Sequence, residues 1–284
     1  MSVIAYADDL MLVGRNREDL QQTMDMAATW FEMAGVQVNT AKTVLIEWPQ
    51  GQEQEHLLQW QQGSTVEPIT HIVTVNEPVR ILGQYVTPGG NVAALATYFR
   101  EQAEELVQPL ARKWLTDRQA QYLYCAVLIP IMAYRTQCTL LNSKEIEHIQ
   151  APLLQFVKHK FGVPSTSLSA YWFAQKGGQM PCLQAEVDRR AVDMTVQMLS
   201  GKGCQEASTL AQRLEQRARL QLQFPGEMLA HPQLVADRNM PVGRQHIWWL
   251  YVAKILVGRG WRLGYQLLNF SCESYPSLIQ LNHH

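Results

Sequence analysis

The sequence predicts an α+β fold, in which strands and one helix occupy residues 1–90 and helices dominate the rest of the chain. Two observations predict this division. Short apolar runs bounded by turn residues, which are typical of strands, are concentrated before residue 90. From Val92 onward, apolar residues recur instead at helical spacing. A chain of 284 residues is long enough to bury a substantial core in such a fold.

The first predicted element is a hairpin that carries two adjacent carboxylates. The segments SVIAY and LMLVG predict two short buried strands around a tight turn at Ala7–Asp9. Asp8 and Asp9 would then lie at the tip, where carboxylate oxygens suit Mg²⁺. Turn chemistry alone is the alternative, because Asp is frequent in tight turns. The aromatic and small residues before the pair, and the apolar strands on both sides, favour the metal-binding interpretation.

Further elements follow in order before residue 90. A helix is predicted from a cap at Asn16 to a stop at Gly35, and a third strand is centred on Val44–Ile46. The Gln- and Gly-rich residues 49–68 predict an exposed insertion. The segments ITHIVTV and VRILGQYV predict a β-hairpin between them.

The helical region begins with a helix whose apolar residues are Leu95, Phe99, Leu106, Leu110 and Trp114. A second helix is predicted to be capped by Asp117 and kinked at Pro130, and a third begins at Ser143. Residues 163–181 predict a loop-rich connector. Two further amphipathic helices and a helical C-terminal region complete the prediction.

Charge is distributed unevenly along the chain. Residues 1–110 carry 14 acidic and 5 basic side chains, whereas residues 111–284 carry 11 acidic and 19 basic ones. The asymmetry favours a polyanion lying against the second part. Lys and Arg on solvated helix faces explain it equally well, so this alternative stays open.

Five widely spaced cysteines, none of them in a zinc-ligand pattern, predict reduced thiols in an intracellular protein. The N-terminus lacks the pattern of a signal peptide, and the apolar run IWWLYVAKILVG contains Lys254 and is too short to cross a bilayer. We therefore expect a soluble protein of the nucleus or cytoplasm that has no membrane partner.

Three motifs in order resemble reverse transcriptases, specifically those of non-LTR retrotransposons and related elements. AYADDLMLVG resembles the catalytic hairpin of this family, and the residues Gly35, Asn39, Lys42 and Thr43 match its next motif. ILGQYVTPGG is similar to the following hairpin, in which Leu82 and Gly83 match a pair near the primer end. The resemblance implies a partial palm in residues 1–90, a thumb-like helical region in 91–165 and a C-terminal helical region in 166–284.

The resemblance also implies roles for individual residues. Asp8 and Asp9 would be the catalytic, metal-binding carboxylates for two-metal nucleotidyl transfer, with Mg²⁺ or Mn²⁺ as cofactor. Tyr6 and Ala7 would lie near the primer terminus. Lys42 would be the general acid for the departing pyrophosphate, the alternative being a solvent-facing lysine. Leu82 and Gly83 would contact the primer, the alternative being a plain edge hairpin.

The pattern departs from the family in one respect that bears on activity. Only five residues precede Tyr6, so the upstream palm aspartate and the fingers lie outside these residues. Two carboxylates alone hold Mg²⁺ weakly. We therefore expect this chain to be the C-terminal portion of a polymerase that acts on an RNA template and a DNA primer. We expect it to be inactive on its own, with the missing N-terminal part of the polymerase as a possible partner.

A non-catalytic helical nucleic-acid-binding protein with a vestigial acidic hairpin is the alternative function. The C-terminal segment is the evidence for this alternative. Between Arg238 and Glu273 there is no acidic residue, and basic side chains are interleaved with aromatic ones. Such a pattern suits nucleic-acid binding. A buried helix pair with outward-pointing cations explains it better, since Ile247, Leu250, Ile255 and Leu256 would have to be buried with the aromatics.

Overall fold

The computed structural model describes residues 2–6, 9–46, 58–174, 177–200, 205–225, 227–237, 248–263 and 281–282. Its fold is α+β, which confirms the predicted class. The chain forms two compact units, Met1–Leu95 and Ala96–His284.

The first unit contains short strands and one long helix. The strands are β1 (Ser2–Tyr6), β2 (Asp9–Val13), β3 (Leu45–Ile46), β4 (Gln59–Gln62), β5 (Thr65–Pro68), β6 (Ile72–Val73), β7 (Val79–Ile81) and β8 (Gln84–Val86), and the helix is α1 (Arg17–Met33). Within the described residues they pair two by two, as β1–β2, β4–β5 and β7–β8 in antiparallel order and β3–β6 in parallel order. Each sheet is therefore narrow, and α1 carries much of the core.

Helix α1 begins as the sequence predicts. The Asn16 side chain accepts a hydrogen bond of 2.8 Å from the backbone N–H of Asp19, and such a cap stabilises a helix by about 1 kcal/mol. One face of α1 is buried in a core that consists of Met24, Ala28, Leu45, Leu58, Trp60 and Ile69. This face holds the β4–β5 hairpin against the helix.

The prediction of an exposed insertion at residues 49–68 is wrong for Leu58 and Trp60, whereas Gln59, Gln61 and residues 63–68 are exposed and residues 49–57 lie outside the described residues. Residues 59–68 form the β4–β5 hairpin, and Leu58 and Trp60 are each only 5% exposed. Gln21 of α1 accepts a hydrogen bond from the backbone N–H of Gln59 at 2.9 Å and donates one to its carbonyl at 2.7 Å. The burial of these two large apolar side chains thus decides where the hairpin packs, although most of the residues around them are polar.

The predicted pairing of ITHIVTV with VRILGQYV is also wrong. Ile72–Val73 pairs in parallel with Leu45–Ile46, and the hairpin forms inside the second segment, between Val79–Ile81 and Gln84–Val86. Leu82 and Gly83 at its turn both have positive φ, +50° and +80°. Two consecutive residues with positive φ form the tight turn that best matches the twist of two strands.

The second unit is mainly helical. Its helices are α2 (Val92–Ala111, which begins in the first unit), α3 (Asp117–Leu123), α4 (Ile129–Thr136), α5 (Ser143–Lys160), α6 (Ser169–Phe173), α7 (Leu183–Ser200), α8 (Gln205–Leu222), α9 (Pro232–Ala236) and α10 (Trp248–Arg259). A short strand pair, β9 (Arg262–Leu263) and β10 (Leu281–Asn282), follows. Within the described part of the chain, no helix is both long and apolar enough to cross a membrane.

Several helix boundaries differ from the predicted ones. Thr116 rather than Asp117 caps α3, because Thr116 and Gln119 form a reciprocal capping box. A π-helical turn at Tyr124–Leu128 comes before Pro130, which cannot donate a backbone hydrogen bond to the preceding turn. Trp114 is fully exposed, because α2 already ends at Ala111.

A buried polar network connects the π-helical turn after α3 with α5 and the start of α7. The Gln150 amide donates to the Tyr124 hydroxyl at 2.7 Å, and its carbonyl oxygen accepts from the backbone N–H of Leu183 at 3.1 Å. The Tyr124 hydroxyl donates to the Pro181 carbonyl at 3.3 Å. Burial raises the pKa of Tyr124, so the hydroxyl remains protonated and available as a donor.

The aromatic residues of α10 are part of the core, as the second interpretation of the C-terminal pattern expected. Trp249, Leu250, Ile255 and Leu256 are buried in a cluster with residues of α7, α8 and α9. Lys254 is exposed. Arg259 departs from the expected outward orientation of the cations, because its guanidinium donates to the buried carboxylate of Asp188 at 2.8 and 2.5 Å. Arg238 and Ile247 lie outside the described residues.

Candidate active site

The hairpin of β1 and β2 presents the candidate metal-binding residues. Its antiparallel ladder runs from Ser2 opposite Val13 to Tyr6 opposite Asp9. Ala7 and Asp8 lie outside the described residues, as does the side chain of Tyr6. Asp9 is the first residue of β2 and is exposed. The predicted hairpin is therefore confirmed, although Asp9 belongs to a strand and not to the turn.

The strands of this hairpin are not buried as predicted. Val3, Ile4 and Val13 are 55%, 56% and 46% exposed. The physical reason is that β1 and β2 pair with each other and, among the described residues, with no further strand. Their apolar residues consequently have few neighbours, apart from Leu12, which packs against the core of α1.

A close contact fixes the hairpin to the helix that follows it. A Cβ atom at Gly14 would lie 2.7 Å from the backbone nitrogen of Leu20. A side chain at this position would therefore push β2 away from the first turn of α1. The glycine lets the end of the hairpin approach the helix directly.

Lys42 lies on another element of the first unit. It ends a 3₁₀ turn, Thr40–Lys42, that leads into β3, and its side chain is exposed. The Thr43 hydroxyl donates to the Asn39 carbonyl at 3.2 Å, and the Thr40 hydroxyl donates to the carboxylate of Glu67. The turn is thus held to β5, while the lysine remains accessible to a ligand.

Leu82 and Gly83 form the tip of the β7–β8 hairpin. Leu82 is 43% exposed although it is large and apolar, and its φ of +50° is unfavourable for any residue with a Cβ. Natural proteins usually place Asn or Gly at this position of a tight hairpin. The leucine is therefore an exposed residue that the turn itself does not require.

The candidate site residues lie on separate elements of the first unit. Asp9 is on β2, Lys42 precedes β3, and Leu82 and Gly83 join β7 to β8. Among the residues that the structure describes, no group of three His, Cys, Asp or Glu side chains could hold a metal ion. The donor set at the hairpin fits a divalent cation in kind, because carboxylate oxygens are suitable ligands, but two carboxylates are few for Mg²⁺.

Comparison with known families gives a match to most of the first unit. Residues 1–86 match the family model described as reverse transcriptase (RNA-dependent DNA polymerase). The match ends at Val86, the last residue of β8, so it covers each element that carries a candidate site residue. Comparisons with curated proteins and with solved structures gave no match.

Residues 1–86 are therefore similar to a reverse transcriptase domain. Enzymes of this family act on nucleic acids and generally use divalent metal ions. The match does not extend to residues 87–284.

One feature of the second unit was missed by sequence reasoning. Residues 163–181, predicted to be a loop-rich connector, include the short helix α6 and line a cleft of about 640 Å³. Three consecutive aromatic residues, Tyr171 to Phe173, followed by Gly177 and Gly178, were the available signal. They indicate a packed aromatic cluster against a tight turn rather than a solvated loop.

Proposed function

We propose that this chain is the C-terminal portion of a reverse transcriptase of the non-LTR retrotransposon type, with residues 1–90 as a partial palm. The observation that carries the proposal is the family match, which includes the hairpin whose second strand begins at Asp9, directly after Asp8 in the sequence. Its substrates would be an RNA template and a DNA primer. Such substrates, together with the unpaired thiols of Cys125, Cys138 and Cys182, favour an intracellular location.

In this proposal Asp8 is the principal metal-binding residue and Asp9 the second. Bound Mg²⁺ or Mn²⁺ would supply activation of the primer hydroxyl and stabilisation of the leaving oxygen. Asp9 is exposed at the start of a paired strand, so its carboxylate is accessible and its backbone is held in place. Tyr6 and Ala7, next to this pair, would lie against the primer terminus.

Lys42 would donate a proton to the departing pyrophosphate. A cation beside a developing polyphosphate charge lowers the barrier to its departure. Its exposed position on a turn that Glu67 holds in place supports this role. Leu82 and Gly83 would contact the primer strand, which explains an exposed leucine in an unfavourable conformation at the hairpin tip.

A polypeptide of these 284 residues alone would not polymerise DNA. Two adjacent carboxylates leave most positions around Mg²⁺ to water, which that ion releases reluctantly. Nucleotidyl transfer also depends on a template and a nucleotide held in register with the primer end. We propose that an N-terminal part of the polymerase supplies both the additional metal ligand and these contacts.

Primer extension tests the proposal in two forms of the protein. The 284-residue polypeptide should extend no primer with Mg²⁺ or Mn²⁺ beyond the level of its Asp8→Ala variant. A fusion with the fingers and upstream palm of another reverse transcriptase should extend a DNA primer on an RNA template.

Variants of the fusion give the decisive comparison. Asp8→Ala should lower extension by at least about 10³-fold, because the metal-binding group is removed. Asp25→Ala is the matched control, since Asp25 is an exposed aspartate of α1 that bonds to Gln21. Equal activity in the Asp8→Ala and Asp25→Ala fusions would contradict the assignment of Asp8.

A second candidate function is non-catalytic nucleic-acid binding by the helical unit. The observation that favours it is a basic face on α8, where Arg213 and Arg217 are both exposed and lie one turn apart. Filter binding of a primer–template duplex across a salt series tests it, because each phosphate contact steepens the salt dependence. An affinity that does not change with salt would contradict it.

A further inference from the structure

Helix α1 has a second row of apolar residues that its core does not use. Met26, Trp30 and Met33 are 54%, 59% and 76% exposed, on the side of the helix away from the buried Met24 and Ala28. Their spacing of four and three residues places them in one row along α1. Single exposed apolar residues are common, whereas a contiguous patch with a polar rim marks an interaction surface.

Three acidic side chains lie beside this row. Glu18, Asp25 and Glu32 are seven residues apart, about two helical turns, so they share one side of α1, and all three are exposed. No Lys or Arg follows Arg17 in α1, so the helix itself offers no base that would offset them. The apolar row and these three acids, together the α1 face, therefore combine apolar contact area with negative charge.

Helix α8 carries a similar face of the opposite charge. Leu210, Leu214 and Leu220 are between 48% and 75% exposed. Arg213 and Arg217 are exposed on the same side of the helix, each three residues from one of these leucines. These five residues, together the α8 face, combine apolar contact area with positive charge.

Glu215, an acid in the middle of α8, does not neutralise the α8 face. Its carboxylate accepts a hydrogen bond from the Arg219 guanidinium at 2.9 Å and another from the backbone N–H of Met228 at 3.0 Å. Only 14% of its side chain is exposed. Glu215 is therefore engaged on the inner side of the helix, and the two exposed arginines keep the α8 face positive.

Both helices are anchored by their buried sides. Met24 and Ala28 hold α1 in the core of the first unit, and Ala211, Ala218 and Leu222 hold α8 in a cluster with α7, α9 and α10. Each exposed face is consequently presented on a helix that is already packed. A surface that is formed in advance loses less conformational entropy when a partner binds.

Charge decides which faces fit together. Two α1 faces would bring acids against acids, and two α8 faces would bring arginines against arginines, which is unfavourable in both cases. An α1 face against an α8 face instead pairs opposite charges and buries Trp30 among leucines. Phosphate groups would engage the arginines of α8 but would leave its three leucines unused, so a protein helix fits this face better than a nucleic-acid backbone.

We propose that α1 of one chain packs against α8 of a second copy of this chain. Both faces are exposed in the residues that the structure describes, so a second chain supplies the partner helix. The contact is heterologous, because each chain offers one face of each kind and unlike surfaces meet. The inference uses neither Asp8 nor Asp9 and does not rest on the proposed function.

Sedimentation velocity of the full 284-residue chain over a range of concentrations tests the proposal. The unmodified chain should associate reversibly, and high ionic strength should weaken the association because exposed opposite charges are screened. Trp30→Ala should raise the dissociation constant by at least about 30-fold, the effect expected when an aromatic side chain at the centre of an interface is removed.

Two variants that are studied separately and then mixed identify the faces that pair. Trp30→Lys disables the α1 face, and Leu214→Glu disables the α8 face. Each variant alone should be monomeric, because every contact needs one intact face of each kind. An equal mixture should form a 1:1 complex, since α1 of the Leu214→Glu chain can still pack on α8 of the Trp30→Lys chain. Leu234→Glu is the matched control, as Leu234 is a 60% exposed leucine of α9, and it should associate like the unmodified chain.

Several results would overturn the proposal. One is an unmodified chain that stays monomeric at every concentration, and if it then binds a duplex through Arg213 and Arg217, the α8 face belongs to nucleic acid. Association of either single variant alone would show that like faces pair or that other surfaces are used. A mixture of two folded variants that forms no complex would also contradict it. Circular dichroism checks the folding, and should either variant misfold, Met33→Lys and Leu210→Glu disable the same two faces.

Discussion

Tyr6 lies opposite Asp9 in the ladder of β1 and β2, so that only Ala7 and Asp8 separate the paired residues in sequence. A shift of this register by one residue would move every side chain of the strand to the opposite face. The pairing therefore holds Asp9 at the end of the hairpin ladder. It also leaves most of the strands' apolar side chains outside a core, since no additional described strand flanks them.

This exposure predicts that the hairpin tolerates polar substitutions in the isolated chain. Ile4→Thr should change the free energy of unfolding by no more than about 0.5 kcal/mol, because Ile4 is 56% exposed. Met24→Ala is the comparison, as Met24 is 5% exposed in the core of α1 and its truncation should cost about 2–4 kcal/mol. Urea unfolding measures both, and a large loss for Ile4→Thr would show that the hairpin is covered.

The tip of the β7–β8 hairpin predicts opposite effects on stability and binding. Leu82→Asn should stabilise the chain by about 0.5–1 kcal/mol, because Asn accepts a positive φ more readily than Leu. The same change removes the apolar contact proposed for the primer and should weaken duplex binding. Thermal unfolding and filter binding measure the two effects, with Val66→Asn, an exposed apolar residue of β5, as control. Unchanged duplex binding would contradict the role of Leu82.

The ion pair between α7 and α10 predicts a large loss when one partner is removed. Asp188 is only 4% exposed, and Arg259 donates to it at 2.8 and 2.5 Å. Arg259→Leu would leave a buried carboxylate without this cation, at a cost of about 3–5 kcal/mol. Arg100→Leu removes an exposed pair with Glu104 and should cost less than about 1 kcal/mol. Equal values for the two variants in urea unfolding would refute the prediction.

The ion pairs of Glu186 should make part of the folding stability depend on pH. Hydrogen bonds from Arg189 and Arg190 lower the pKa of this carboxyl below its ordinary value. A lowered pKa in the folded state contributes stability above the unfolded pKa, about 4.3, and that contribution is lost as pH falls through the folded value. The difference in melting temperature between the unmodified protein and Glu186→Gln should therefore be present at pH 6 and shrink below about pH 4. A difference that is the same at both pH values would contradict it.

The local sequence pattern predicted where helices and strands lie better than it predicted which strands pair with each other. The β1–β2 hairpin, the cap of α1 and the helix faces after residue 90 follow from short-range spacing, which a sequence displays directly. The parallel pairing of Leu45–Ile46 with Ile72–Val73 does not, because any two strands of similar composition could pair. Leu58 and Trp60 were assigned to an exposed insertion for a related reason, since the glutamines around them dominate the composition.

The candidate site was likewise predictable in part. Motif order placed the acidic pair on a hairpin and Leu82–Gly83 in a second one, and the structure has both hairpins. The register of the second hairpin depends on the positive φ of Leu82, which no propensity predicts for a leucine. The cleft beside Trp172 depends on contacts between α3, the end of α5 and a glycine turn, which come together only in the fold.

A Mn²⁺ titration of the 284-residue protein, followed by electron paramagnetic resonance, tests the assignment of Asp8 and Asp9 as metal ligands most directly. We expect weak binding, with a dissociation constant on the order of 10⁻³ M, that Asp8→Ala and Asp9→Ala each abolish and Asp25→Ala leaves unchanged. Binding that survives in both hairpin variants would show that the metal is held elsewhere and would contradict the assignment of these carboxylates.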